Sequence, residues 1–457
     1  MDLSRKLGRL SGAGLAGSVR DASSPAPPLD GATGEPAPAD ERRARIARLR
    51  GLIEQMEQSH RRDLPRSSPA TAELVLPGSL RETPHGPLHV VDRVLEPHHC
   101  HGRVPIARML DADPACVASL ALDPSLEHVD LERALFLDTE TTGLSGGTGT
   151  LPFLVGLGWF ENESLVLEQL LLRRPGEEAP ILRRVAERLE HASCLVTYNG
   201  KSFDWPLLRT RFVLNRVPTP LPRAHIDLLH CARRVYKRRL GDVRLVNVEA
   251  EVLGLRREGD VDGSLIPGIY LSYLRTGEGG ELAPVIEHNA KDIIALAAVL
   301  ATLAERFATP HLADDPRDHL GLAEVAARAD DEERAVAFAR IAADGGGDDD
   351  VTCAALELAA LLARRRRDPH AAARDLEAAL VVAGPGHARA SALHLALAKV
   401  AEHGLRDLER ALGHARDCAG AEGESGAERR VGRLERKLAR VAARAPLFAR
   451  ATGPAGS

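Results

Sequence analysis

The sequence predicts an α/β domain built on a mixed sheet flanked by helices, followed by an all-α helical-repeat region. The position of the aromatic residues is the first reason. Of the 14 Phe, Trp and Tyr residues in this chain of 457 residues, 12 lie between Phe136 and Phe307, so the best-packed core is expected there. The second reason is the change of pattern near residue 316, where alternating strand and helix patterns give way to Ala-, Leu- and Arg-rich helices.

The chain before the α/β domain is predicted to be largely disordered over residues 1–85, and most clearly over residues 1 to about 40. This part is rich in Ala, Pro, Gly and Ser and lacks apolar periodicity. One short amphipathic helix is expected near 41–62, where Ile46, Leu49, Ile53 and Met56 recur three or four residues apart.

The α/β domain is predicted to span residues 86–310, and its first part is rich in histidine. These side chains would allow a zinc site, although their spacings match no standard ligand pattern: His85, His89, His98, His99, Cys100 and His101.

Three consecutive strands are predicted at 134–137, 152–160 and 164–172, where Leu and Val are frequent. An amphipathic helix at 177–191 and a fourth strand at 193–198 follow, and this strand could lie parallel to the first. Three strands joined by hairpins, then a helix, then a parallel strand is the order of a ribonuclease-H-like sheet.

Asp138 and Glu140 follow the apolar run Ala134-Leu135-Phe136-Leu137. On an extended backbone the side chains of residues i and i+2 project to the same side, so both carboxylates point into one space. Two carboxylates at the end of a buried strand repel each other, and a bound divalent cation relieves that repulsion. Taken alone, this pair is also compatible with an ordinary strand terminus.

Two further segments carry acidic residues in the same domain. Asp204 follows the fourth strand and begins a helix, and His288 and Asp292 lie four apart at the start of a later helix, on one face. Separately, Asp204 could be a helix cap, Asp292 a solvated charge and His288 a histidine satisfied by its neighbours. Together, in this order, they indicate one site.

The order Asp-x-Glu, then Asp, then His and Asp resembles the DEDD (DnaQ-like) 3′–5′ exonucleases, and longer phrases resemble their YprB-type ribonuclease-H-like subfamily. These phrases are 136–144 (FLDTETTGL), 197–204 (TYNGKSFD), 225–230 (HIDLLH) and 288–292, which keeps His, Asn and the final Asp. The resemblance covers about residues 90–308.

The resemblance implies a metal-dependent 3′–5′ exonuclease acting on single-stranded ends of DNA or RNA. It implies that Asp138, Glu140, Asp204 and Asp292 hold two divalent cations, Mg²⁺ or Mn²⁺, with His288 as the proton acceptor. Members with a catalytic histidine place it five residues before the last Asp, and tyrosine-type members place Tyr four before. His288 stands at the tyrosine spacing.

Candidate contacts to the nucleic-acid strand flank these acidic residues. The basic cluster at 233–239 could bind phosphates, although a solvated helix face would look the same. Aromatic residues after the fourth strand could stack on bases or pack in the core. The predicted set is Thr141, Asn199, Lys201, Phe203, Arg233, Arg234 and Lys237.

Helical repeats resembling tetratricopeptide arrays are predicted over 311–448, with a tail at 449–457. Ala335, Ala372 and Ala411 lie 37 and 39 residues apart and open similar helices, although a plain helical bundle would also fit. We expect this region to be separable after about residue 310 and to bind a protein partner. A nucleic-acid-binding scaffold that recruits a partner through these repeats is the alternative function.

Composition excludes some classes of protein. The net charge of −5 gives no global basic field, and no apolar run approaches the length of a membrane span. Six scattered cysteines without a Cys-x-x-Cys pattern favour a reducing cytoplasm. Gly200-Lys201-Ser202 mimics the end of a nucleotide-binding loop, but Leu195 stands where that motif needs glycine.

Overall fold

The computed structural model describes residues 76–143, 149–313 and 315–449, and the described residues belong to one compact unit. The disorder predicted for residues 1–40 and the helix predicted near 41–62 lie outside the described residues. Most of the Gly-rich segment after the first predicted strand, 144–148, also lies outside them.

Within the described residues, seven strands form one sheet in the order β1-β2-β7-β6-β5-β8-β9. Neighbouring strands are antiparallel from β1 to β5, whereas β5, β8 and β9 are parallel. The strands are β1 (Ser79–Thr83), β2 (Gly86–Leu95), β5 (Ala134–Thr141), β6 (Pro152–Glu161), β7 (Ser164–Leu171), β8 (Cys194–Thr197) and β9 (His225–Asp227), and a separate small pair is β3 (Cys100–His101) with β4 (Val104–Pro105).

The predicted order of three antiparallel strands, a helix and a parallel strand is confirmed by β5, β6, β7 and β8. The fold class is therefore the predicted one: a ribonuclease-H-like mixed sheet with flanking helices, followed by an all-α region. Asn162 lies in the β6–β7 turn with a left-handed φ of 48°, which asparagine tolerates better than most residues.

The hairpin β1–β2 was not predicted from the sequence, and β1 falls in the segment expected to be disordered. The boundary predicted between residues 85 and 86 lies in the turn between these two paired strands. β2 extends the sheet by pairing with β7, and its Leu88 and Val90 are buried in the core. The apolar alternation of these residues was the available signal, but the histidines drew the interpretation toward metal binding.

Helices cover both faces of the sheet. They are α1 (Pro114–Ala121), α2 (Glu178–His191), α3 (Asp204–Leu214), α4 (Leu228–Leu240), α5 (Leu245–Val248, continued by a π-helical turn at Glu249–Leu253), α6 (Ile266–Thr276) and α7 (Leu282–Ala308), with 3₁₀ turns at Ile106–Asp111, Pro124–Leu126, Leu131–Arg133 and Pro310–Leu312. Phe136 packs in the core that contains much of α7, whereas Leu135 and Leu137 pack with α2 and α3.

Two glycines let α7 lie directly against β6. A Cβ atom on Gly156 would lie 2.3 Å from the Asn289 Oδ1 atom, and one on Gly158 would lie 2.5 Å from the Ile293 Cγ2 atom. These separations are below van der Waals contact, so only glycine fits at either position. The close approach brings the polar segment of α7 around Asn289 over the end of β5.

The all-α region consists of helix pairs. The helices are α8 (Pro316–Arg328), α9 (Glu332–Asp344), α10 (Asp349–Arg365), α11 (Pro369–Ala383), α12 (Ala390–Val400, continued by a π-helical turn at Ala401–Leu405), α13 (Leu408–Arg416), α14 (Ala419–Glu422) and α15 (Glu424–Ala449). No helix among the described residues is long and apolar enough to cross a membrane.

The second helix of each of the first three pairs begins in the same way. Asp331, Asp368 and Asp407 cap α9, α11 and α13, each accepting a hydrogen bond from a backbone N–H three residues later. The residue before each cap has a left-handed φ of 59° to 61°. The alanines that suggested the repeat, Ala335, Ala372 and Ala411, are all fully buried. Small buried residues at matching positions let each helix pair approach its neighbours.

The first helix pair shares a hydrophobic core with the α/β domain. Tyr236 of α4 and Phe307 of α7 lie in the same core cluster as Phe338 of α9. At its edge the Arg239 Nη2 atom lies 2.8 Å from the Asp318 Oδ2 atom, and the Asp318 side chain is 2% exposed. The boundary predicted between residues 310 and 311 therefore crosses one continuous core.

Truncation after residue 310 should destabilise the protein rather than release an independent domain. Each large apolar side chain left exposed costs about 1.5–3 kcal/mol, and Asp318, the ion-pair partner of Arg239, is removed. Truncation after residue 383 keeps two helix pairs and should have a much smaller effect. Thermal unfolding of the two truncated proteins and the full chain measures this; equal unfolding temperatures for all three would contradict the shared core.

Candidate active site

Four carboxylates meet where β5 ends. Asp138 and Glu140 lie opposite Gly156 and Leu154 of β6, so both project from one face of the sheet. Asp204 is the first residue of α3, and Asp292 lies in the third turn of α7. One strand and two helices thus supply the four predicted carboxylates, and the donor atoms of two of them, Glu140 and Asp292, lie within 4.8 Å of one another and of His288.

Their mutual proximity is visible in their electrostatics. Burial raises the pKa of Asp138 well above its ordinary value, and Asp292, Asp204 and Glu140 raise it further. Burial, followed by Asp292 and Asp204, raises the pKa of Glu140 to about 8. Burial raises the pKa of Asp204 to about 6, although a hydrogen bond from Thr139 opposes the shift. Without a cation, this cluster holds protons near neutral pH.

Neighbouring polar side chains fix the orientation of two of these carboxylates. The Thr139 hydroxyl donates to the Asp204 Oδ1 atom at 2.5 Å, and the Asn289 Nδ2 atom donates to the Asp138 Oδ2 atom at 2.9 Å. Asn289 is fully buried and accepts a hydrogen bond from Gln169 at 2.9 Å. Asn289 had no predicted role, although it lies within the motif that starts at His288.

His288 joins this cluster from α7. Its Nε2 atom lies 3.6 Å from the Asp292 Oδ2 atom and 3.9 Å from the Glu140 Oε1 atom. Its Nδ1 atom lies 2.9 Å from the Asp260 Oδ2 atom. The closeness of His288 and Asp292 was predicted from their spacing, whereas the contact with Asp260 was not. Asp260 lies in the irregular segment between the π-helical turn and α6.

Arg257 is the largest feature of the site that sequence reasoning missed. Its guanidinium lies 2.5 Å from Asp292, 2.8 Å from Glu249 and 3.1 Å from Asp260, and its side chain is 5% exposed. Burial raises the pKa of Asp292 even though Arg257 and His288 lower it. The buried guanidinium of Arg257 thus compensates part of the negative charge of the carboxylates around it. Nothing in the local pattern around Arg257 distinguishes it from the neighbouring surface arginine.

The donor set fits a hard divalent cation. Carboxylate oxygens are the ligands that Mg²⁺, Mn²⁺ and Ca²⁺ prefer. The donor atoms of Glu140, His288 and Asp292 all lie within 4.8 Å of one another. Glu140 accepts no hydrogen bond from the described part of the chain, so its carboxylate oxygens are available to bind a cation.

The loop after β8 is held by Asp227, another residue without a predicted role. The Asp227 carboxylate accepts hydrogen bonds from the backbone N–H groups of Asn199 at 2.8 Å and Lys201 at 3.1 Å, and it caps α4. Asn199 has a left-handed φ of 68° and an exposed side chain, and the Lys201 side chain is also exposed. A nucleic-acid strand can therefore reach both of these predicted contact residues, Asn199 and Lys201.

Two other predicted contacts have partners within the chain. The Thr141 hydroxyl is buried and donates to the carbonyl oxygen of Gly143 at 2.9 Å. Phe203 is half-buried and precedes α3. Trp205 packs in the core and the Tyr198 hydroxyl donates to the Val243 carbonyl, so neither aromatic residue is presented for stacking.

The predicted basic cluster lies on α4, and its members differ in their contacts. The Arg234 Nη1 atom donates to the Leu120 carbonyl at 3.0 Å, and Arg239 pairs with Asp318 of the all-α region. Lys237 reaches the carbonyl oxygen of Gly241 beyond the end of its own helix. Arg233 is exposed. Part of this cluster therefore attaches α4 to its surroundings instead of forming a free basic surface.

The histidine-rich segment does not gather into a metal site within the described residues, where the one group with suitable donor spacing contains His288. The His89 Nε2 atom lies 2.7 Å from the Pro77 carbonyl oxygen, and the His101 Nε2 atom lies 2.7 Å from the buried carboxylate of Glu249. All six cysteines are free, and five are buried.

The geometry of the sheet and of the acidic cluster agrees with a comparison against protein families. Residues 135–304 match the family model described as the RNase_H superfamily. The α/β domain therefore has an RNase H-like fold. The matched segment starts at β5 and ends in α7, so it contains every carboxylate of the cluster.

The chain is also similar to known proteins. Over 197 residues the chain is 37% identical to a Bacillus subtilis (strain 168) protein named "Uncharacterized protein YprB"; the alignment covers 43% of this chain and 47% of that protein, about half its length. A family B DNA polymerase from the hyperthermophilic archaeon Pyrobaculum calidifontis is 15% identical, with a TM-score of 0.29, over 51% of this chain and 29% of the polymerase. This last likeness supports no conclusion about activity.

The acidic cluster predicts a pH dependence of stability in the metal-free RNase H-like domain. Between the ordinary pKa of 4.5 and the folded pKa of about 8, Glu140 keeps a proton in the folded state that it loses on unfolding. Its contribution to stability therefore falls as pH rises through this window. Glutamine does not ionise, so the stability of the variant Glu140→Gln should not fall in this window. The unfolding temperature of the variant minus that of the wild type should therefore be larger at pH 9 than at pH 5. Thermal unfolding in a chelator measures the difference, and a constant difference would contradict the raised pKa.

Proposed function

We propose that this protein is a metal-dependent 3′–5′ exonuclease that hydrolyses phosphodiester bonds at single-stranded nucleic-acid ends by a two-metal-ion mechanism. The convergence of Asp138, Glu140, Asp204 and Asp292 at the end of β5 carries the proposal. Carboxylates whose repulsion raises the pKa values of Asp138 and Glu140 are costly to bury without cations. A protein that only binds nucleic acid has no need of them.

In this proposal the chain's own residues hold and orient the cations. The four carboxylates are the ligands, and the hydrogen bonds from Thr139 and Asn289 fix the positions of Asp204 and Asp138. Two divalent cations would supply activation of water and neutralisation of the charge on the leaving oxygen. Arg257 limits the excess of negative charge, so that a phosphate can approach the cluster.

The sequence assigns proton transfer to His288, because the unperturbed pKa of histidine lies near neutral pH. The same imidazole also lies near enough to two carboxylates to share a cation with them.

The strand is proposed to pass the loop after β8. Asn199, Lys201 and the half-buried Phe203 supply polar, cationic and aromatic contacts beside Asp204. Arg233 and Lys237 add exposed cations on α4. Arg234 and Thr141 form hydrogen bonds within the chain and are proposed to support these contacts. These residues would contact the backbone and the base faces of the nucleic acid, so the contacts do not distinguish DNA from RNA.

An assay with end-labelled oligonucleotides tests the proposal directly. Single-stranded DNA and RNA, labelled at either end, are incubated with the full chain in Mg²⁺ or Mn²⁺. Release of mononucleotides from the 3′ end supports the proposal, and a chelator should stop it. The direction of digestion follows from the motif resemblance, so cleavage from the 5′ end or inside the strand would overturn this part.

The alternative is a nucleic-acid-binding scaffold that recruits a partner through tetratricopeptide-like repeats. One observation favours it: the all-α region contains a cavity of about 660 Å³ lined by cationic side chains. Its lining includes Arg364, Arg367, Lys399, Arg430 and Arg433, which would suit an anionic partner. Binding of oligonucleotides without cleavage in any divalent metal would favour this function. Either function is proposed to be cytoplasmic, in keeping with the free cysteines.

A further inference from the structure

The cavity of about 660 Å³ in the all-α region, called the cationic cavity below, lies between helices of three helix pairs. Residues of α10, α11, α12 and α15 line it. The part of the lining that the structure describes contains no carboxylate but has these Arg and Lys side chains: Arg364, Arg367, Lys399, Arg430 and Arg433. In a chain whose net charge is −5, this lining is a local reversal of sign.

Four consecutive arginines at the end of α10 have different contacts. Arg365 and Arg366 turn back to the first helix pair, with which each forms a hydrogen bond. Arg364 and Arg367 instead line the cationic cavity. Within the part of the chain that the structure describes, their side chains and that of Lys399 form no hydrogen bond or ion pair. The run of arginines is therefore not simply a solvated face.

The π-helical turn after α12 fixes the walls of the cationic cavity. A Cβ atom on Gly404 would lie 2.6 Å from the Pro369 Cβ atom, so only glycine lets this turn lie against the start of α11. The same turn buries Glu402, which accepts hydrogen bonds from Arg433 and Lys437 of α15. Burial alone would raise the pKa of Glu402, but these two cations hold it at about 2. An internal carboxylate thus holds α15 in place.

The charges of the lining are only partly compensated. Arg433 pairs with Glu402, and the Arg430 Nη2 atom lies 2.6 Å from the Glu422 Oε1 atom. The other three cations have no anionic partner among the described residues. Like charges that face one cavity repel each other, and an anion that enters the cavity relieves the repulsion. The cationic cavity is therefore built to receive negative charge.

The other lining residues indicate which anion fits. A protein partner is usually anchored by aromatic and other large side chains in well-packed pockets. The described lining contains no Phe, Tyr or Trp, and Pro369 and Val400 are its apolar side chains. Guanidinium groups bind phosphate oxygens through paired, charge-assisted hydrogen bonds. A lining of this kind suits the backbone of a nucleic acid, which carries one negative charge on every phosphate.

We propose that the cationic cavity binds backbone phosphates of the single strand whose end enters the RNase H-like domain. The identity of the ligand rests on the proposed function, whereas the cavity is formed by the all-α region alone. Phosphates carry no sequence information, so this second contact should act on any sequence. Two linked contacts strengthen each other only when one strand reaches both. The all-α region should therefore select long strands over short ones.

Binding to the full chain in a chelator tests this without hydrolysis. Fluorescence anisotropy of 5′-labelled oligothymidylate and oligouridylate of about 4 to 32 nucleotides, a range that includes the usual site sizes for single strands, measures affinity at several salt concentrations. Affinity should increase with length. The double variant Arg364→Gln with Lys399→Gln should bind the longest strand about tenfold more weakly, with little change on the shortest. Its slope of log affinity against log salt should be smaller by about 1.4, because each phosphate contact contributes about 0.7.

A matched pair of substitutions controls for loss of charge. Arg374→Gln with Arg416→Gln removes two exposed arginines of the all-α region that do not line the cationic cavity, and it should bind as the wild type does. Arg364→Lys with Lys399→Arg keeps both charges and should retain most of the affinity. Equal affinity of the wild type and the Arg364→Gln, Lys399→Gln variant for the longest strand, or a wild-type affinity that does not depend on length, would overturn the proposal.

Polyglutamate tests the other class of occupant. If polyglutamate binds more tightly than a strand of equal charge, and the Arg364→Gln, Lys399→Gln variant loses that binding, the cationic cavity belongs to an acidic protein and the assignment to nucleic acid is wrong. Length-dependent binding without hydrolysis in any divalent metal would refute the exonuclease and keep the phosphate site. Hydrolysis of short strands without length-dependent binding would refute the phosphate site and keep the exonuclease.

Discussion

Replacement of Asp138 by asparagine should lower the initial rate of oligonucleotide hydrolysis by about 10³-fold or more. Asp138 is the carboxylate whose pKa is raised by burial and by all three other members of the cluster, so its charge interacts with each of theirs. Losing a charged metal ligand removes several kcal/mol of transition-state stabilisation, and about 1.36 kcal/mol corresponds to tenfold in rate. Initial rates on end-labelled single strands, at a fixed Mg²⁺ or Mn²⁺ concentration, measure the loss.

A matched control separates this effect from a general loss of charge. Glu132→Gln changes an exposed carboxylate in the 3₁₀ turn that precedes β5, and it should leave the rate unchanged. Asp138→Asn should remain folded, since the new side chain can still accept the hydrogen bond from Asn289. A rate within tenfold of the wild type, about the effect of a single weak contact, would show that Asp138 is not required for hydrolysis.

Replacement of Arg257 by methionine should destabilise the folded protein by about 3–5 kcal/mol. The substitution leaves Glu249, Asp260 and Asp292 buried or half-buried without their shared cation, and removing one partner of a buried ion pair has a cost of this size. Urea unfolding of the metal-free protein at pH 7 measures it. Arg257→Lys restores the charge but cannot reach three carboxylates at once, so it should recover only part of the loss.

The neighbouring residue supplies the control. Arg256 pairs with Glu251 at the surface, and its side chain is 78% exposed. Arg256→Met should change the free energy of unfolding by about 1 kcal/mol or less, as surface ion pairs generally do. If both substitutions had equal effects, Arg257 would not be the charge that balances the acidic cluster.

The central part of the fold could be predicted because its patterns are local. Buried strands such as β5 read as continuous apolar runs, and α2 shows the periodicity of an amphipathic helix. The hairpin β1–β2 was missed because β1 is a short, mostly exposed edge strand that resembles a loop. Its existence depends on pairing with β7, a partner far away in the sequence.

The same distinction applies to the acidic cluster. Asp138 and Glu140 could be recognised because their spacing follows from strand geometry, and His288 and Asp292 because theirs follows from helix geometry. Arg257 and Asp260 lie outside regular helices and strands, where sequence spacing gives no direction for a side chain. Their roles depend on how the segment after the π-helical turn packs against α7.

The fold class and the four acidic positions could be predicted because both depend on residues near one another in the chain. The charges that compensate them, the contact of Asp260 with His288 and the ion pair between Arg239 of α4 and Asp318 of the all-α region became visible only in the folded structure. The tertiary structure also showed that the first helix pair shares a core with the α/β domain. The physical reason is that burial, ion pairing and pKa shifts depend on distances between side chains, and only the packing of distant segments sets those distances.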